Sequence, residues 1–178
     1  MRPLQSLPLI LALTGLSPLP AAAHGPTPQK VEEHIEIAAP PDKVWAVVKE
    51  FANIGEWHPL LEKSEGKGGN AAGAERAITL KSGGVLSEGL DDYNDKEMYY
   101  GYRLAKENVE AFPVSFYSST LTVKPAASGS EVEWVGRFYR ADTGNFPPEN
   151  RNDAAAIAAM KSFMGEGLKG LKAKVEAQ

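Results

Sequence analysis

The chain has 178 residues, no cysteine, three histidines and a formal net charge of -4. Disulfides, thiol nucleophiles and thiolate metal sites are excluded. The mildly acidic balance lacks the basic footprint of a nucleic-acid binder, so no nucleic-acid partner is expected, and an acidic surface suits a basic protein partner instead.

Residues 1–23 read as a cleavable export signal: Arg2 supplies the charge, Leu7 through Leu16 the apolar run, and Ala21-Ala22-Ala23 the small residues a signal peptidase reads. Cleavage after Ala23 would leave His24 as the N-terminus. Ser6, Pro8, Pro18 and Pro20 interrupt a run already short of the roughly 20 apolar residues that span a bilayer. A periplasmic protein without a stable membrane anchor is therefore expected, with residues 24–30 as an N-terminal tail and 31–178 as one domain, long enough to bury a substantial core.

Val31, Glu33, Ile35 and Ile37 alternate with Glu32, His34 and Glu36, the period of two that predicts a first strand. Ala39-Pro40-Pro41-Asp42 opens a helix of about three turns with Val44, Trp45, Val47, Val48 and Phe51 on its apolar face. Residues 53–58 predict a second short helix, capped by Asn53 and ended because Pro59 disfavours helical geometry at His58. A short strand over 60–66 precedes the glycine-rich stretch 66–73. That stretch lacks the ending of a phosphate cradle and leads towards a strand, so it is read as a hairpin loop. Strands follow over 75–80 and 85–92, joined by the hairpin turn Lys81-Ser82-Gly83-Gly84. Met98, Tyr100, Tyr102 and Leu104 share one face of the next strand. Strands over 116–125 and 131–139 complete seven, the last with Val132, Trp134 and Phe138 on one face.

From about Asp153 the apolar residues Ile157, Met160, Met164, Leu168, Leu171 and Val175 recur at three or four, predicting a long C-terminal helix. Gly165, Gly167 and Gly170 weaken it by about 1 kcal/mol each relative to alanine and permit bending or close backbone approach. The element order predicts an α+β fold in which a curved, seven-stranded antiparallel sheet wraps the long helix, with two short helices at one end. A space between sheet and helix is the candidate site.

Ile35 through Trp45 (IEIAAPPDKVW), Trp57-His58-Pro59, the strand pair around Gly83-Gly84 and Glu88, and Glu133-Trp134 resemble the START/Bet v 1-like (SRPBCC) superfamily. The likeness is strongest to its polyketide cyclase/dehydrase and lipid-transport group and extends over about residues 31–175. It implies the helix-grip fold and a hydrophobic cavity. The HGPTPQKVEE start, the WHP segment and the EVEWVGRFYR strand, with the export signal, resemble the MxaD family. That resemblance implies a non-catalytic accessory protein of methanol oxidation, partnering a periplasmic dehydrogenase and its cytochrome c. Polyketide-like cyclisation or dehydration, and lipid carriage, are the alternatives that related folds imply.

His58, between Trp57 and Pro59, is the candidate acid/base, since imidazole titrates near neutrality. No carboxylate or nucleophile motif accompanies it, and a histidine fixing a helix end accounts for it more simply. Tyr100, Tyr102, Tyr117, Trp134 and Phe138 on the strands face Met160, Phe163 and Met164 on the helix. With Trp57 and His58 at the mouth, they are the candidate lining for a small hydrophobic ligand carrying a few polar groups. Each serves equally as a core residue. Glu88, Asp91 and Asp92 read as solvated strand charges. A newly formed N-terminal His24 would offer amine and imidazole to copper, completed by His34 or His58. No metal-ligand spacing supports such a site, and neither metal nor cofactor is expected.

Overall fold

The structure, a computed structural model, describes residues 25–178; the expected export signal and His24 lie outside the described residues. Period-two alternation produces strands close to where it is read. β1 (Gln29–Ile37) buries Val31 and Ile37 and exposes Glu32, His34 and Glu36. β2 (Leu61–Lys67), β3 (Glu75–Leu80), β4 (Val85–Asn94), β5 (Tyr99–Lys106), β6 (Val114–Ala126) and β7 (Gly129–Arg140) follow, all pairing antiparallel in one sheet of order β1-β7-β6-β5-β4-β3-β2.

β1 and β2 are therefore the two edges. Between them α1 (Pro41–Val48) and a 3-10 helix (Phe51–Glu56) carry the chain across one end of the sheet. Successive antiparallel connections then bring it back to β7 beside β1. After a 3-10 turn at Glu149–Arg151, α2 (Asp153–Glu176) lies against the inner face, its first turn capped by Asn152 accepting from the Ala155 amide at 2.9 Å. This is the expected α+β helix-grip arrangement, a curved seven-stranded sheet around a long C-terminal helix. Among the described residues no helix is long and apolar enough to cross a membrane.

Local expectations differ at three places. α1 ends at Val48, so Phe51 belongs to the 3-10 helix. Asn53 does not cap that helix but sits inside it at a kink; Asn70, from the glycine-rich loop, accepts from the Phe51 amide at 3.0 Å instead. Met98 takes a positive φ of 52° in the turn before β5 and is not part of the strand.

Candidate functional site

The inward rows of β4, β5 and β6 carry Leu86 and Glu88, Tyr102, and Tyr117 and Ser119, because these positions share the phase of the buried residues on each strand. α2 supplies Met160, Phe163 and Met164 opposite them. Together with Phe112, from the link between β5 and β6, they enclose a cavity of about 10 Å³, room for roughly one water molecule. A second, open pocket of about 280 Å³ is lined by Leu60, Leu80, Pro113 and Ala159, and again by Phe112 and Phe163. The latter two rings, edge to face with centroids 5.7 Å apart, belong to both spaces. Two aromatic side chains are thus the partition between an apolar vestibule and the interior.

The inner end is polar. Arg76 and Glu88 are direct partners in the β3–β4 register. Arg76 Nε donates to Glu88 Oε2 at 2.5 Å and Nη1 to the Phe51 carbonyl at 2.8 Å. The guanidinium lies 4.1 Å from the Phe51 ring centroid and 4.6 Å from that of Tyr102, a cation–π sandwich. Tyr117 donates its hydroxyl to Glu88 Oε1 at 2.5 Å, and Trp134 Nε1 donates to the Tyr102 hydroxyl at 3.0 Å. Burial is the largest single influence on Arg76 and opposes its charge, but the Glu88 carboxylate together with the Tyr102 and Tyr100 side chains outweighs it and raises the pKa. Burial first, then the Glu88 charge, pushes the Tyr102 and Tyr117 phenols up. The cavity therefore ends on a carboxylate whose two oxygens already have donors, beside phenols that keep their protons.

Trp57-His58-Pro59 closes the 3-10 helix and packs beneath α2. The Leu60 amide donates to His58 Nδ1 at 3.3 Å, which assigns the ring proton to Nε2. That nitrogen is buried without a hydrogen-bond partner. The ring, 2% exposed, lies 4.2 Å from the Phe163 ring and meets Trp134 edge to face. Burial lowers the His58 pKa to about 4, an effect that the neighbouring Phe163 carbonyl opposes without forming a hydrogen bond of proper geometry. A Cβ at Gly167 would lie 2.7 Å from His58 Cδ2 and Nε2 and 2.8 Å from Trp134 Cζ3; one at Gly170 would lie 2.6 Å from the Pro59 ring. The two glycines let α2 seat directly on the WHP turn.

Of the anticipated lining, Tyr102, Tyr117, Met160, Phe163 and Met164 meet at the inner cavity. Trp57, His58 and Trp134 cluster behind Phe163, Tyr100 packs on Trp45 and Phe51, and Phe138 is core. These five line neither space. Glu88 corrects the expectation of a solvated charge: it is 1% exposed because the hairpin sets it against Arg76. Asp91 and Asp92 are exposed, the ladder shifting between Leu90 and Asp92. His34 is exposed on β1 and His58 is buried, so the two do not meet.

Arg76, Phe112 and Ser119 were missing from the expected site. The inward row Arg76-Ile78-Leu80 opposite Leu86-Glu88-Leu90, joined at Gly83-Gly84, was the available signal for the first. Phe112 lies in an irregular link with no periodicity to read.

A family model described as polyketide cyclase/dehydrase and lipid transport matches residues 28–176. No curated protein matches the chain. Among solved structures, the protein XoxI from Bacillus cereus is 29% identical, covering 82% of this chain and 94% of that one at a TM-score of 0.68. An uncharacterized protein from Bacillus thuringiensis is 27% identical, covering 84% and 98%, at 0.66. Norcoclaurine synthase from Thalictrum flavum, 15% identical and covering 97% and 100% at 0.65, shares the fold.

Proposed function

Because the chain belongs to the polyketide cyclase/dehydrase and lipid transport family, we propose that it binds a small hydrophobic ligand between sheet and α2 without transforming it. The observation that carries this reading is the partition formed by Phe112 and Phe163. Rotation of these two rings joins a vestibule of about 280 Å³ to a polar end at Glu88, Tyr117 and Ser119. That arrangement suits an apolar molecule with one hydrogen-bonding group. Glu88 is held by Arg76 and Tyr117, and His58 backs Phe163 away from both spaces, which favours binding over proton transfer. Native mass spectrometry and titration with an apolar naphthalene fluorophore test it. Saturable one-to-one binding that is blocked by Ser162→Trp, at the exposed rim of the vestibule, is expected. No saturable binding, or binding indifferent to that substitution, overturns it.

We set this binding in the periplasm, in an accessory role beside a dehydrogenase and its cytochrome c of the kind the MxaD resemblance implies. Arg2, the apolar run to Leu16 and Ala21-Ala22-Ala23 support export, and a net charge of -4 favours a basic partner. Low-salt pull-down from periplasm with a high-salt control should retain the dehydrogenase or cytochrome; retention of neither, or a mature protein still carrying residues 1–23, counts against it.

A further inference from the structure

We propose that the outward face of the β1–β7 edge binds one divalent transition-metal ion through Glu32, His34 and Glu133. The outward phase of β1 carries Glu32 and His34 two residues apart, and the register sets Glu133 of β7 directly opposite His34. One ligand atom from each, a ring nitrogen and two carboxylate oxygens, all lie within 4.8 Å of one another. His34 Nε2 is already 3.1 Å from Glu32 Oε1. An ion about 2.0–2.2 Å from each donor brings donor pairs to within roughly 4.4 Å, so only small rotations of exposed side chains are needed. The backbone positions are held by the β1–β7 ladder.

A separate contact supports the assignment of His34 as ligand. Glu131 Oε1 lies 3.8 Å from Nδ1, on the side of the ring away from Glu32. That is longer than a hydrogen bond, but a small rotation of the exposed Glu131 side chain would let it accept from Nδ1 and orient a metal-binding imidazole. One imidazole with two carboxylates is a donor set for zinc and its neighbours, not for calcium or magnesium. Lys30 and Lys124 pair with Glu32 and Glu133 through Oε2 of each. Both are surface ion pairs weakened by solvent screening, and an arriving cation displaces them readily. Three protein ligands leave coordination positions open to water or to a partner's side chain.

Calorimetric titration of the chelator-treated full chain with Zn²⁺ tests the site. One saturable ion per chain is expected, lost in His34→Ala and in Glu133→Gln and weakened by roughly tenfold in Glu131→Gln. His24→Ala should leave binding intact. The urea midpoints of the metal-free His34 and Glu133 variants should match that of the parent, since His34 is exposed and Glu133 lies outside the core. No saturable binding, binding unchanged in His34→Ala or Glu133→Gln, or binding lost in His24→Ala overturns the proposal.

Discussion

His58 makes the folded protein acid-sensitive in a defined window. Its imidazole is buried against Phe163 and Trp134 and takes a proton only near pH 4, whereas the ordinary value is 6.5. Above pH 6.5 the ring is neutral in both folded and unfolded chains and costs nothing. Below it the unfolded chain gains a proton that the folded chain refuses, so stability falls as pH drops towards 4 and this contribution then levels off. At about 1.4 kcal/mol per pH unit the full loss is about 3 kcal/mol, of which about 2 kcal/mol is gone by pH 5.

Urea unfolding at pH 7.5, 6 and 5 measures this, with His58→Leu as the reference that keeps bulk and removes the titrating group. Carboxylates titrate in both proteins, so the difference between their slopes isolates His58. Parallel pH dependences, or a His58 imidazole resonance, assigned by its loss in His58→Leu, that titrates near 6.5 in the folded protein, would show that the ring is not the buried neutral group described here.

Two further outcomes follow from the same packing. Gly167→Ala gains about 1 kcal/mol of helix propensity but sets a methyl 2.7 Å from His58 and 2.8 Å from Trp134. Overpacking costs about 1–3 kcal/mol, so thermal melting should show net destabilisation; a higher melting temperature would mean that α2 lifts freely off the turn. Glu88→Ala strands the Arg76 guanidinium and should cost about 3–5 kcal/mol in chemical denaturation, while Arg76→Met with Glu88→Leu should restore most of it. If the double variant is no more stable than the single one, the pair contributes more than mutual neutralisation.

The fold was largely legible because its signals are local. Alternation in residues 31–37 and 131–139, and the three-and-four spacing from Ile157 to Val175, each report one element's buried face, and element order constrains the rest. The site was legible only in part. Met160, Phe163 and Met164 could be read from helical phase, and Tyr102 and Tyr117 from strand phase. Glu88 could not be understood without Arg76, since a carboxylate on a strand reads as solvated until the hairpin register supplies its partner. Glu133 is likewise silent until β7 lies beside β1. The glycines of α2 acquire their meaning from Trp57-His58-Pro59, a segment far away in sequence whose bulk they accommodate. What escaped was pairwise and long-range.

The strand order also bears on how the protein is made. β1 is made before the other described strands, yet its neighbour is β7, with Gln29 opposite Phe138. The inner face stays uncovered until α2, the last of the described elements, is complete. A growing chain can form the β3–β4 hairpin early, but it cannot close the sheet or hide its apolar rows before β7 and α2 have been made, and such long loop closures are slow. Closure of the fold is thereby deferred until β7 and α2 have both been made, so the apolar rows of the earlier strands stay open to other contacts for most of the time the domain takes to be synthesised.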